Sequence, residues 1–453
     1  MKTNFISASP GPEGQYPENL YYVPETKEGR PALVGTPGLI EVCDTGVSSE
    51  VRAVMTDGNK LYAVVGGTFF EIDSGYTATN KGAVSSSGKA WIVKGFNQIM
   101  ILAGNAGYIY DSGTLTQITD TDFPLSSSLT FQDGYFIVTQ EDSDYVFLSD
   151  LNDGTSWNAL QYAAAEGNPG NLLAVISDHL EVWCFGKDYC EIWFNSGNTF
   201  TFDRRGLIEV GLGAVKSLAK IDNTIYWIDN EGRIRKAEGY TPVVISTREI
   251  EKTISEYPGF MNAVGYAMVF EGNPFYVLSF PGQTTWMYNV STGLWNQWKS
   301  GTGRHRGNCY AYFQGEHIVG DYENGKLYRL DKDTYTDNGS TITRKRVGQT
   351  IFDEKSRYQF RINKFEIEFK EGVGLSGGVQ GEDPQAMLRA SKDRGKTWGN
   401  EQWRDIGKIG EYKNRAIWRN QGIARNWTPE LIITDPVETV IYGATIEAKM
   451  ANR

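Results

Sequence analysis

The chain has 453 residues, of which 51 are glycine and 13% aromatic, and only 22% are charged. That texture excludes low-complexity disorder, which is poor in aromatics, and a helical bundle, because glycine costs a helix about 1 kcal/mol per position while aromatic residues favour strands. Forty-four Lys and Arg against 55 Asp and Glu leave a net charge of −11, which argues against a general nucleic-acid binder needing a basic surface.

The opening stretch, MKTNFISASPGPEG, has no apolar run of signal-peptide length, so no signal peptide is expected. No stretch of 18 apolar residues occurs, so no membrane-spanning helix is expected either. From Lys60 onward one pattern recurs: an aromatic and aliphatic strand, a short polar or glycine turn, then a second aromatic strand. It begins at Lys60, Gln98, Gly134, His179, Thr224, Pro274 and His317, at intervals of 38, 36, 45, 45, 50 and 43 residues. A hairpin period near 40–50 residues is the mark of propeller blades, small sheets that bury their faces against one another around an axis. Seven hairpins favour seven blades, or six if one serves an insertion; consecutive β-sandwiches are the alternative.

Near residue 340 the texture changes. TDNGSTITRKRVGQT is polar, then basic, and reads as a linker. Beyond it, Phe365, Ile367 and Phe369 alternate with Glu366, Glu368 and Lys370, the period of a half-buried antiparallel strand. ELIITD and ETVIYGATIEAKM give two more strands. The chain therefore reads as all-β. An N-terminal extension over 1–42, with a possible ring-closing strand, precedes a six- or seven-bladed β-propeller over 43–340 and a C-terminal β-sandwich over 341–453.

The charge divides at the same place. Residues 341–453 carry 20 Lys and Arg and 15 Asp and Glu, net +5; residues 1–340 carry 24 and 40, net −16. No Lys or Arg lies between Lys94 and Lys187, a stretch holding twelve acids, among them Asp133, Glu141, Asp142 and Asp144. A solvated acidic face is the plain reading; a surface that repels an anion is the sharper one.

Catalytic and metal motifs are missing. The three histidines, His179, His305 and His317, have no ligand spacing, and HExxH, GxSxG and Walker A sequences do not occur. Gly372, Gly374 and Gly377 spell GxGxxG, but the continuation GVQGEDP is loop-like and offers no helix N-terminus for a pyrophosphate. No catalytic residue, metal or cofactor is expected. Acidic clusters such as Glu141–Asp144 lack calcium-loop spacing and read as turn acids. Ser391, Asp393, Gly395 and Trp398 form an S-x-D-x-G-x-T-W string that resembles an Asp-box, a structural hairpin turn in which the tryptophan anchors the core. Sequons at Asn289, Asn338 and Asn426 carry little weight without a secretory route. Cys184 and Cys190 flank a turn and could meet across a hairpin, but four cysteines in a chain of this length read as free thiols.

Several segments resemble the packaged-DNA stabilization, or tail hub, proteins of short-tailed phages. Near the start these are Asn19-Leu20-Tyr21, Pro24-Glu25 and Gly35-Thr36-Pro37-Gly38-Leu39. The denser match is central: Asp133-Gly134-Tyr135-Phe136, the run from Ser149 to Trp157, Ala165-Glu166-Gly167-Asn168-Pro169, Trp183-Cys184-Phe185-Gly186, the run from Glu191 to Gly197, the run from Arg205 to Gly211, and Gly239-Tyr240-Thr241-Pro242. The resemblance covers roughly residues 15–300 and weakens in the C-terminal domain. It implies a structural virion protein of the tail, assembled in the host cytoplasm and not an enzyme. Such hubs form a ring, a homohexamer, below the portal and its adaptor, and join it to a tailspike or fibre and a tail needle or plug. They retain packaged genome, and double-stranded DNA passes through them without being held. On this reading Asp133, Glu141, Asp142 and Asp144 are candidates to line the channel, since a conduit that neutralised phosphates would trap its cargo. The basic C-terminal domain would face an acidic neighbour such as the adaptor. The rival readings are a tail-associated propeller glycosidase or carbohydrate-binding module, which needs paired carboxylates in a pocket, and a propeller serving as a protein-interaction platform.

Overall fold

A computed structural model describes residues 2–3, 15–198, 200–353 and 358–451. The opening segment over 4–14, part of the stretch read for a signal peptide, lies outside the described residues. The chain is 56% strand and 3% helix, so the all-β expectation holds. It separates into two compact units, one over 41–281 and 306–330, the other over 1–40, 282–305 and 331–453. Among the described residues no helix is long and apolar enough to cross a membrane.

The first unit is a propeller of seven successive sheets, which settles the blade count. Their inner strands are Val51–Asp57, Ala90–Lys94, Ser126–Gln132, Leu172–Asp178, Ala219–Ile221, Val264–Phe270 and Gly307–Phe313. Sheets one to five have four antiparallel strands each, in chain order. Neighbouring inner strands pack together, the fourth and fifth meeting through the Lys220 ammonium on Ser177 O at 3.0 Å, and the seventh packs against the first, so the ring closes. Its closing strand is Gly38–Asp44, which lies beside Lys326–Asp331 in the last sheet. Lys326 Nζ reinforces this edge, 2.8 Å from Glu41 and 3.5 Å from Asp44.

The first hairpin turn of several sheets shows why the chain bends there. Asp133-Gly134 (φ 51° and 91°), Asp222-Asn223 (50° and 62°), Glu271-Gly272 (47° and 75°) and Gln314-Gly315 (51° and 83°) all place two successive residues at positive φ. Those dihedrals match the twist of a two-residue antiparallel hairpin. Between sheets, apolar side chains meet face to face. Trp227 is fully buried against Phe185 of the preceding sheet, ring centroids 5.4 Å apart, and donates to Gly211 O at 3.1 Å. One short helix, Arg248–Ser255, buries Ile250 and Ile254 and is capped by the Thr247 hydroxyl.

All four cysteines are free. Cys184 stands opposite Glu191 and Cys190 opposite Phe185 in adjacent strands, and both are fully buried. Burial pushes both thiols well above their ordinary range. In the folded protein neither should be alkylated at pH 8, whereas all four should react after denaturation. Mass spectrometry checks this; a 184–190 crosslink in the native peptide map would contradict it.

The second unit is a β-sandwich. One sheet runs Leu20–Val23, Ala32–Gly35, Val440–Met450, Phe360–Phe369, Ala416–Ala424, with Lys2–Thr3 paired to the long Val440–Met450 strand. The other runs Arg344–Val347, Asn426–Ile433, Gln385–Ser391, Gln402–Asp405. Phe365, Ile367, Trp418, Trp427, Leu388 and Leu431 fill the space between them. Strands from the opening segment, 20–23 and 32–35, thus join a sheet whose three long strands lie beyond residue 359. The unit also holds the hairpin Thr285–Asn289 and Leu294–Ser300, which bonds to the opening segment through Gln297 N to Pro17 O and Asn19 N to Gln297 O, both 2.8 Å. The basic run near residue 344 is not a linker. It is a strand, and Arg344 and Arg346 are buried at 1% and 0% exposure.

Candidate functional site

The four candidate acids do not form one cluster. Asp133 sits in the first turn of the third sheet, while Glu141, Asp142 and Asp144 occupy the next turn. The strand Tyr135–Gln140 separates them. At about 3.4 Å per residue that places Asp133 roughly 20 Å or more from the trio, at the opposite face of the propeller. Asp133 is exposed and accepts from Gln132 at 2.7 Å and Asn195 at 3.0 Å. Glu141 and Asp142 are exposed and Asp144 half-buried, with Asn105 donating to Glu141. Two other acids of the same stretch, Asp178 and Glu181, are buried structural groups. Asp178 lies 2.7 Å from His179, and Glu181 is held by Arg205 at 2.5 Å and Tyr240 at 2.7 Å.

The propeller axis is strapped. Lys216 belongs to the short turn Val215–Ser217 between the fourth and fifth sheets, yet its ammonium donates to Ala90 O at 2.6 Å and lies 4.6 Å from the Trp91 ring centre. Ala90 opens the second sheet, which does not neighbour the fourth or fifth, so the side chain crosses the middle of the ring. Burial pushes its amine down to about 8. Nearby, the Arg52 guanidinium is tied to carbonyls of Gly66 (2.8 Å), Ser85 (2.6 Å) and Gly88 (2.7 Å). A duplex whose major groove alone is about 12 Å wide does not pass through an opening spanned by one lysine.

In the sandwich, the Asp-box residues make a closed turn. Asp393 accepts from the Ser391 hydroxyl at 2.7 Å, from Thr397 N at 2.8 Å and from the Thr397 hydroxyl at 2.6 Å. Those bonds, the Ser391 hydroxyl's foremost, hold its carboxyl well below the ordinary range. Gly395 supplies φ 97°. Trp398 departs from the pattern: it is half-buried rather than part of the core, with the Arg389 guanidinium 5.3 Å from its ring centre. No helix follows Gly372, Gly374 and Gly377.

The sandwich carries a groove of about 780 Å³ lined by Arg30, Lys364, Glu366, Glu368, Arg415 and Tyr442, among others. Two of its acids are ion-paired: Glu368 with Arg30 at 2.7 Å, Glu366 with Lys364 and Arg415 at 2.6 Å each. Burial alone would raise the Glu366 carboxyl, but hydrogen bonds from Lys364 and Arg415 outweigh it and hold the group below its usual range. A glycosidase acid needs the opposite shift. Among the described residues no group of three or more His, Cys, Asp or Glu is placed to hold a metal ion. Sequence reasoning missed Arg52, Lys216 and Arg344, because neither a lone basic residue nor one in a basic run gives a sign that it is buried.

A family model described as bacteriophage P22 Gp10, beta-propeller, matches residues 13–335, and one described as bacteriophage P22 Gp10, beta-sandwich, matches residues 344–449. No curated protein matches the chain significantly. Among solved structures it is similar to the WD40 domain of Neurospora crassa Pan2 (7% identity, 65% of this chain and 96% of that one, TM-score 0.45). It is also similar to the WD40 propeller of Doa1 (15%, 65% and 96%, 0.43) and to BamB from Moraxella catarrhalis (7%, 66% and 91%, 0.41). With both domain models matched in order along a propeller and a following sandwich, the chain belongs to the bacteriophage P22 Gp10 family and is a structural protein of a phage tail.

Proposed function

We propose that this chain is the tail hub, or nozzle: a homohexameric ring that joins the portal and its adaptor to tailspikes or fibres and a tail needle, retains packaged DNA and forms part of the ejection channel. The observation that carries this reading is the two-domain match to the P22 Gp10 family. The charge division supports it, an acidic 1–340 portion at −16 and a basic 341–453 portion at +5. A rigid β scaffold presenting varied turns suits a part whose work is assembly. DNA takes a path between subunits, not through the strapped propeller axis. Negative-stain images of the purified chain, alone and mixed with portal–adaptor rings, test the proposal. Rings that seat on the connector are expected; a persistent monomer that ignores the connector overturns it.

The acidic turn of Glu141, Asp142 and Asp144 is our candidate for channel lining, with Asp133 facing away from that lumen. Replacing the trio by lysine should slow DNA ejection several-fold by adding phosphate contacts, and more so at low salt. Asp133→Lys, at the other face, should leave the rate unchanged. Equal rates for the triple variant and the wild type would remove the lining role.

A further inference from the structure

Arg344 is 1% exposed, and none of its three guanidinium nitrogens has a hydrogen-bond partner among the described residues. Its strand pairs with Asn426–Ile433 so that Arg344 stands opposite Ile433 and Arg346 opposite Leu431. Leu431 and Ile433 face the sandwich core, so both arginines point between the sheets, while Lys345 turns the other way to reach Glu430 at 2.9 Å. The Arg344 head group lies against Gly35 of the facing sheet. A Cβ at that glycine would stand 2.6 Å from Nε and 3.4 Å from the guanidinium carbon. The facing strand is therefore cut back to backbone where the guanidinium rests. Tyr335, half-buried, has its ring centre 5.9 Å from the same guanidinium. Among the described residues no carboxylate bears on Arg344; burial pushes it down to about 10, so it remains a cation at neutral pH.

A buried cation without a counter-charge is strongly disfavoured. Arginine presents Nε and Nη donors in a planar fork that fits two oxygens of one anion. We propose that Arg344, cradled by Gly35 and reached past Tyr335, is the base of a socket for a small oxyanion, a phosphate or a carboxylate. The site is internal to the sandwich, so a duplex backbone is too large for it. It is distinct from the acidic propeller turns and from the ion-paired groove.

Thermal unfolding of the full chain in phosphate and in chloride, at matched ionic strength, tests the socket. Phosphate stabilises proteins generally by exclusion from their surface, so the quantity read is the phosphate-minus-chloride increment of the wild type against that of Arg344→Met. The wild type should exceed the variant by about 2 °C or more. Gly35→Ala, whose methyl displaces the fork, should lose the excess as well. An acetate arm separates the sources: an equal increment with acetate identifies a carboxylate as sufficient, and an increment confined to phosphate identifies the larger oxyanion. Calorimetric titration of the wild-type chain with inorganic phosphate and with acetate should show one saturable site for at least one of them. Identical increments in the wild type and Arg344→Met, or no saturable binding of either anion, overturns the proposal.

Discussion

Asp229→Ala is expected to destabilise the propeller by about 3–5 kcal/mol, because it breaks a buried, hydrogen-bonded charge pair and leaves one partner unsatisfied. The Asp229 carboxylate is fully buried in the fifth sheet. One oxygen accepts the backbone N–H groups of Glu231 at 3.0 Å and Arg233 at 2.9 Å; the other accepts Nε of Arg233 at 3.0 Å and Nε of Arg235 at 2.6 Å. Arg235 is itself 7% exposed, and without Asp229 its remaining hydrogen bond is to Pro242 O at 3.2 Å. The turn Asp229–Arg233 is also closed by these bonds, so the alanine variant loses a turn and strands a cation together. Asp229→Asn keeps the amide-accepting oxygen and should cost less than the alanine. Adding Arg235→Met to Asp229→Ala should recover part of the loss, since an apolar side chain of similar length removes the unpaired charge. Urea denaturation with hydrogen exchange of the fifth sheet reads all three. If the double variant is no more stable than Asp229→Ala, the cost lies in the turn and not in the stranded arginine.

The same region shows what the sequence carries and what it hides. The hairpins of second and third strands were legible because the second strand of each sheet is apolar on both faces. Ile225, Tyr226, Trp227 and Ile228 are all buried, and a run of that kind ends visibly at Asn-Glu-Gly. Outer strands were not legible. Ala78–Ala83 and Thr241–Val244 lie at sheet edges and are largely half-exposed or exposed, so neither carries an alternating pattern. The sandwich strand Phe360–Phe369 was readable because one face is buried and the other wet. Strands 20–23 and 32–35 of the same sheet were not assigned to that domain, because pairing between segments more than 300 residues apart leaves no local trace. The basic run at 344–347 was misread for a related reason. Clustered Lys and Arg are usually solvated, and only the register that aligns Arg344 with Ile433 reveals which of them point inward. The candidate acids share a sequence neighbourhood, yet one strand's length puts Asp133 and the Glu141 turn at opposite faces.

Cys43→Asp is expected to open the propeller ring, at a cost of about 3–5 kcal/mol for burying an unpaired charge. Cys43 lies in the closing strand Gly38–Asp44 and is 4% exposed, packed in a cluster with Val51, Leu61, Phe70 and Leu327. Burial already pushes its thiol up to about 11, a direct sign that a charge is unwelcome there. An aspartate has no basic partner in that cluster, so the strand must either peel away or carry a protonated carboxyl. Peeling exposes Lys326–Asp331 as an unpaired edge and releases the staple from Lys326 to Glu41 and Asp44. It also undoes the pairing of Gly38–Asp44 with Lys326–Asp331, which joins the end of the last sheet to the strand that leads into the first. Cys43→Ser, isosteric and uncharged, should cost about 1 kcal/mol and leave the ring closed. Limited proteolysis separates the outcomes: early cleavage around residues 41–50 and 322–331 in the aspartate variant, and the wild-type pattern in the serine variant. A wild-type pattern and an unchanged denaturation midpoint for Cys43→Asp would mean that the closing strand is not what holds the ring. Under the hub proposal the aspartate variant should also fail to seat on the portal–adaptor ring, because an opened propeller no longer presents its turns at fixed spacing. Its free strand edge should instead drive it into aggregates.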